Sequence, residues 1–281
     1  MGLPKEELLQ RIREAEARGD FHFTAEPIDP DSFDHVDEKY EHLCTGFFEC
    51  LFHLFMRFIA MLAGVFINGL AFGMKVKGRK NLRRVKSAII TCNHVNNFDN
   101  LMVRNALFGH RLYIVVGEFN NKKGFFGKCL KAGGTLPLSA NLRAMVNLRK
   151  AIERLLKKRN YVLFYPEESE WWMYEKPRPF RNGAFHFAAT ANVPIIPIFL
   201  TFSDPKGLRA KIVKSKVVTV HIMPPIYPQE HLSVKDNVDY MRDANYQLCV
   251  NKYEEFYQKT LVYDIVDSRD ENSEDQASAR G

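Results

Sequence analysis

Beyond Met74 the chain alternates short β-branched apolar runs with helical patterns, and this alternation restricts the possible folds more than any other feature. Strand-like runs lie at Ser87–Cys92, Tyr113–Val116, Tyr161–Tyr165, Ile195–Thr201 and Val217–Met223. Each is too short for a helix of ordinary length and is rich in residues that favour a pleated, buried backbone. Between them, Asn141–Lys158 places Leu142, Met145, Leu148, Ile152 and Leu155 at three- and four-residue steps, with Arg and Lys on the opposite side. Asp99–Phe108, Gly183–Ala191 and Asp236–Leu261 are further helix candidates. Strands interleaved with helices predict an α/β fold, a single mixed sheet covered by helices.

Ahead of this domain, assigned to residues 75–263, lies the most apolar segment, residues 46–74. Its run from Phe47 to Met74 is long enough for a membrane span, but Glu49, His53, Arg57 and Asn68 interrupt it. The uninterrupted part, Phe58–Ile67, is half the roughly 20 residues that a crossing helix needs. Charges deep in hydrocarbon cost about 2.5–3.5 kcal/mol each on insertion scales. The expectation is a helical segment lying in the membrane interface rather than spanning it, with a buried core helix as the alternative. Residues 1–45 form an acidic extension without a signal-peptide pattern. Pro4-Lys5-Glu6-Glu7 opens a short amphipathic helix there with Leu8, Leu9 and Ile12 on one side, and Pro27–Asp34 reads as a polar connector. Residues 264–281 read as a disordered acidic tail.

Charge follows the same division. Residues 1–45 carry 5 basic and 12 acidic groups and residues 264–281 carry 2 and 6, so residues 46–263 hold 33 basic against 15 acidic. A basic middle between acidic ends implies an anionic partner: nucleic acid, anionic lipid headgroups or a phosphate-bearing substrate. The five Cys residues (Cys44, Cys50, Cys92, Cys129, Cys249) form no CxxC pair, so neither a disulfide framework nor a Cys-rich zinc site is expected, and a reducing, intracellular setting follows. His110, His186 and His221 lack any metal-ligand spacing, and no metal is expected.

Two segments carry the chemistry. The first strand candidate ends in Asn93-His94-Val95-Asn96-Asn97-Phe98-Asp99. A His just past a buried strand of an open α/β sheet stands where ligands bind. A turn back from Asp99 brings a carboxylate to one imidazole nitrogen and leaves the other as a general base for a hydroxyl. The plainer alternative is a helix start, with Asn96 as cap and Asp99 complementing the dipole. The second segment is Tyr165-Pro166-Glu167-Glu168-Ser169-Glu170, past another strand, followed by Lys176, Arg178 and Arg181 before a helix. Cations beside a helix start suit a phosphate, although a solvated charged turn reads the same way. Cys92, two residues from His94, raises a Cys–His nucleophile as a further option, against the commoner buried thiol.

Together with Val193-Pro194-Ile195-Ile196-Pro197-Ile198, these segments resemble the ordered blocks of the glycerolipid acyltransferase family typified by 1-acylglycerol-3-phosphate acyltransferases: NHxxxxD, a glycine-led block ending in Arg, [FY]PEGTR and VPIxPI. Order and spacing match over roughly residues 75–225. The resemblance implies acyl transfer from a thioester, acyl-CoA or acyl carrier protein, to a lysophospholipid hydroxyl, with 1-acylglycerol-3-phosphate as acceptor, in phospholipid biosynthesis. It implies His94 as general base, Asp99 as its orienting partner, and no bound cofactor. No serine nucleophile elbow competes with that reading. Glu167, Ser169, Lys176, Arg178 and Arg181 become acceptor-binding or site-stabilising candidates.

Two departures stand out. Gly133-Gly134-Thr135-Leu136-Pro137-Leu138-Ser139-Ala140 lacks the second block's final Arg, and Glu168, Ser169 and Glu170 replace Gly, Thr and Arg of the third. Glu170 would repel a phosphomonoester dianion, so either Lys176, Arg178 and Arg181 substitute or the acceptor differs. Trp171 and Trp172 are interfacial anchors, line the acceptor channel, or pack in the core. The expected setting is an anionic membrane surface on the cytoplasmic face. A catalytically inactive lipid-binding protein of the same fold is the competing reading. Nucleic acid is not an expected partner, since the basic middle lacks an aromatic-basic recognition motif.

Overall fold

The computed structural model of the chain describes residues 3–213 and 215–266, so most of the expected tail lies outside the described residues. The strands in chain order are β1 (Lys75–Lys77), β2 (Ala88–Cys92), β3 (Leu112–Val116), β4 (Thr135–Pro137), β5 (Tyr161–Phe164), β6 (Ile195–Ser203) and β7 (Val217–Ile222). They form one sheet in the order β1-β7-β6-β2-β5-β3-β4, every neighbouring pair parallel except β6 and β7. This is the mixed sheet that the alternation predicts, and the five expected runs fall within one or two residues of their strands. The sequence does not announce β1 and β4, because each spans 3 residues at a sheet edge and gives no periodicity to read.

The helices are α1 (Lys5–Ala17), α2 (Phe47–Phe66), α3 (Asp99–Ala106), α4 (Gly124–Gly133), α5 (Leu142–Lys157), α6 (Gly183–Ala191), α7 (Leu208–Ile212) and α8 (Val234–Tyr257). Adjacent residues of a strand face opposite sides, so Ile90 joins the core beneath α3 with Met102 and Val103, while Ile89 joins that beneath α5, α6 and α8 with Leu148, Phe185 and Met241. α5 starts where Asn141 accepts the amides of Arg143 and Ala144. Both faces of the sheet being covered, β2 reads as a continuous apolar run and all five of its residues are buried.

The interruptions that break the apolar segment lie on one side of α2. Glu49, His53 and Arg57 recur at four-residue steps, and Gly64 and Asn68 continue the stripe. Glu49 meets Lys131 of α4 at 3.4 Å. The Arg57 guanidinium donates to the Leu112 carbonyl and lies 4.0 Å above the Tyr113 ring. Asn68, in the π-helical turn that follows α2, donates to Asn105 of α3 at 2.8 Å. A Cβ on Gly64 would come within 2.2 Å of the Asn105 side chain, so the close approach of α2 and α3 requires glycine there. The other side of α2 is bare: Phe47, Phe48, Leu51, Leu54, Phe55, Phe58 and Phe66 are each more than half exposed. That exposure sets aside the buried core helix.

Cysteine pairing differs from expectation. Cys44 and Cys50 form a disulfide with Cα atoms 5.3 Å apart. The first turn of α2 carries Cys50 back over the preceding loop, a closure that helix geometry supplies and a missing CxxC pattern does not reveal. Cysteine spacing therefore does not fix the compartment.

The amphipathic α1 forms as expected, but its apolar side meets the domain: Leu8, Ile12 and Ala15, with Phe21 and Ala25 of the following loop, enclose Trp171. Trp171 is fully buried and donates its indole N–H to the Phe23 carbonyl. Trp172 packs against the same cluster, below the Lys5 ammonium. Packing in the core is thus realised by Trp171, while Trp172 stays only partly buried.

Candidate active site

β2 and β5 are adjacent and parallel, so the loops beyond their C-terminal ends emerge side by side, where open α/β sheets place their ligands. The β2 loop carries His94 and Asp99, and the β5 loop carries Tyr165 to Glu170. His94 Nδ1 and Asp99 Oδ2 are 3.0 Å apart. The same carboxylate oxygen accepts the amides of Val95 at 2.8 Å and Asn96 at 3.0 Å, so Asp99 fixes both the ring and the loop that presents it. Asp99 is buried at the first position of α3. Asn96 takes the local turn contact, accepting the amide of Phe98, so the helix-start geometry and the His–Asp contact coexist. Because an ionised carboxylate only accepts, the proton of the imidazole sits on Nδ1 and the Nε2 lone pair is free.

Burial raises the Asp99 carboxyl above its ordinary range, while the hydrogen bond from His94 and the two amides pull it back down. The His94 side chain retains 24% exposure and stacks on the Tyr165 ring at 4.0 Å. Cys92 contrasts with it: the thiol is sealed in the core and burial pushes it well above its usual value, which removes the Cys–His nucleophile.

A buried ion pair braces the two loops. Glu167 Oε2 accepts the His94 amide at 3.2 Å and the Arg178 guanidinium at 2.9 Å, and its Oε1 accepts the Arg178 amide at 2.9 Å. Arg178 also donates to the Phe21 carbonyl and to Ser169, and lies over the Trp171 ring. The Ser169 hydroxyl donates to the Phe23 carbonyl at 2.7 Å. The guanidinium of Arg178 is therefore committed inside the protein, and this candidate stabilises the loops rather than meeting a ligand.

Lys176 is drawn away from the site, bonded to Glu16 of α1 at 2.6 Å and to Asp264 at 2.9 Å. Arg181 is exposed and pairs with Glu168 at 3.1 Å. Of the three cations offered as substitutes for the missing block arginines, only Arg178 reaches His94, and it does so at the backbone carbonyl, 3.5 Å away. Motif spacing does not single out Arg104, which the fold brings to this region. Arg104 of α3 donates to the Gly133 carbonyl in the second block at 2.8 Å, and its charge reaches Tyr165. Gly134, against which the Arg57 guanidinium packs, takes φ +101°, a left-handed conformation that favours glycine. Phe72, just past the π-helical turn that follows α2, packs on the domain core, and its ring lies 5.9 Å from that of Phe98 in the His94 loop.

The profile of the acyltransferase family matches residues 73–201. A 1-acyl-sn-glycerol-3-phosphate acyltransferase of Salmonella typhimurium is 30% identical over 172 residues, covering 57% of this chain and 66% of that protein. A human protein named 1-acyl-sn-glycerol-3-phosphate acyltransferase beta is 26% identical over 174 residues, 61% of each chain. The chain thus spans just under two thirds of the relatives it matches. In structure it is similar to the 1-acyl-sn-glycerophosphate (LPA) acyltransferase PlsC of Thermotoga maritima, with TM-score 0.51, 18% identity, and coverage of 75% of this chain and 81% of that one. Ordered blocks and matched relatives point the same way: over this domain the chain is similar to proteins of the acyltransferase family.

Proposed function

We propose that this protein is an O-acyltransferase that moves a fatty acyl group from a thioester, acyl-CoA or acyl carrier protein, to a free glycerol hydroxyl of a lysophospholipid of the 1-acylglycerol-3-phosphate type in phospholipid biosynthesis. The observation that carries this reading is the His94–Asp99 contact of 3.0 Å on a ring that remains accessible. His94 Nε2 takes the proton of the acceptor hydroxyl as its oxygen attacks the thioester carbonyl. The tetrahedral intermediate collapses to the new ester and expels the thiolate, which recovers the proton from the imidazolium. Asp99 holds the ring in the required tautomer and stabilises its charged form. The thioester is a co-substrate, and no resident cofactor takes part.

Membrane association follows from α2. The apolar helical stretch Phe47–Leu70 has mean hydropathy 2.1 and is long enough to cross a membrane by length and composition. Its polar stripe is docked along α3 and α4, however, so a perpendicular crossing would draw the domain into the bilayer with it. A helix lying in the interface, apolar side down, satisfies both faces. The excess of Lys and Arg over residues 46–263 favours an anionic leaflet, as on the cytoplasmic face.

The test is incubation of the purified protein with labelled acyl-CoA and 1-acylglycerol-3-phosphate or another lysophospholipid. The expected result is diacyl product with one free thiol released per ester formed. Saturable lipid binding with no thiol release would instead make it a lipid-binding protein of the same fold.

A further inference from the structure

Glu170 occupies a place that the mechanism leaves unused. The amide of the next residue, Trp171, donates to the His94 carbonyl at 2.9 Å, and that of Met173 donates to the Val95 carbonyl at 2.8 Å, so this segment runs against the His94 loop. Among the described residues the Glu170 carboxylate makes no hydrogen bond and no ion pair, although the residue is only partly exposed.

We propose that Glu170 selects the acceptor headgroup, disfavouring a phosphomonoester dianion and favouring a lysophospholipid whose phosphate is esterified to an amine-bearing group. This rests on the acyltransferase reading above and changes its acceptor from the 1-acylglycerol-3-phosphate type to a lysophospholipid with an esterified phosphate. In 1-acylglycerol-3-phosphate the attacked hydroxyl and the phosphate sit on adjacent carbons. A hydroxyl delivered to His94 therefore holds the phosphate beside the same loop, within range of Glu170. The cations that would offset the repulsion are engaged: Arg178 with Glu167 and the carbonyls of Phe21 and Ser169, Lys176 with Glu16 and Asp264, and Arg181 with Glu168. Arg104 remains, on the Tyr165 side. An esterified phosphate carries one charge fewer, and its amine finds a partner in the carboxylate.

The charged and titratable groups acting on Glu170 are His94 and Asp99 of the β2 loop, Glu26 of the N-terminal extension, Arg178, and Tyr165 beneath the His94 ring. Burial, with Asp99 and Glu26, raises the carboxyl to about 7 against the pull of His94 and Arg178. Discrimination against the phosphomonoester thus grows as pH rises through neutrality.

Wild type, Glu170→Gln and Glu170→Arg are assayed with acyl-CoA against 1-acylglycerol-3-phosphate and lysophosphatidylethanolamine, in the same detergent micelles, from pH 6 to pH 8. The ratio of kcat/KM values for the two acceptors cancels the common contributions of the thioester and of His94. Lipid phosphomonoesters themselves ionise near pH 6, and Glu170→Gln retains that part of the pH dependence. The expected result is a wild-type ratio favouring lysophosphatidylethanolamine at pH 8, lowered about tenfold by Glu170→Gln, the size one unit charge commands at such a site. Glu170→Arg is expected to lower it further. A Glu170→Gln ratio within twofold of wild type at pH 8 overturns the proposal, and this near-isosteric variant keeps the test decisive if Glu170→Arg fails to fold. Wild type inactive on both acceptors refutes the acyltransferase reading itself, an outcome distinct from activity with an unchanged ratio.

Discussion

Asp99 has several duties at once: it orders the loop through two amides, orients the imidazole, and lies buried at the start of α3. Asp99→Asn keeps an oxygen for the amides and removes the charge that stabilises the imidazolium. Its kcat is expected to fall about 10²–10⁴-fold with little change in KM, read by steady-state kinetics; a value above a tenth of wild type would show that the carboxylate has no such duty. Glu167 and Arg178 illustrate a different cost. Arg178→Met strands a buried carboxylate and is expected to lose about 3–5 kcal/mol in urea unfolding. The half-buried Glu170 responds to pH with the opposite sign from a salt-bridged carboxylate. Its folded value of about 7 lies above the ordinary 4.5, so the stability it confers is complete below about pH 4.5 and disappears as pH rises through 7. Glu170→Gln is therefore expected to stabilise the protein at pH 8, by at most about 3 kcal/mol, and to make no difference at pH 4. A thermal-melt series that showed the gain at low pH would contradict this assignment.

At the scale of elements, α2 shows how an interruption becomes information. Glu49, His53, Arg57 and Asn68 look like obstacles to a membrane helix when the segment is read linearly, yet on a helix they align as one docking stripe. The double variant Phe55→Glu/Phe58→Glu charges the bare side only. It is expected to weaken binding to anionic vesicles more than tenfold in a flotation assay while leaving the melting temperature unchanged; unchanged flotation would place the membrane contact elsewhere. The strands of the central sheet are legible in the sequence because β2, β5 and β6 are covered on both faces and read as largely apolar runs. β4 is not, since an edge strand of 3 residues is set by its neighbour rather than by its own pattern. The His94–Asp99 pair is legible because its members are five positions apart. The engagement of Lys176 is not, since its partners Glu16 and Asp264 lie 160 and 88 positions away.

Across the whole molecule, the acidic N-terminal extension and the third block complete each other. The Phe21 and Phe23 carbonyls receive Arg178, Ser169 and Trp171. Hence the residues that depart from the family pattern partly serve to seat the extension, which the blocks alone could not reveal. The fold as a whole brings one accessible imidazole to the end of a central strand and braces it by a buried ion pair. The measurement that bears most directly on this mechanism is thiol release and ester formation by His94→Ala, with folding and vesicle binding followed in the same preparations. The expected result is a protein that melts and floats like wild type and has lost at least a hundredfold in acyl transfer. Acyl transfer within tenfold of wild type in the His94→Ala variant would contradict the general-base role of this imidazole.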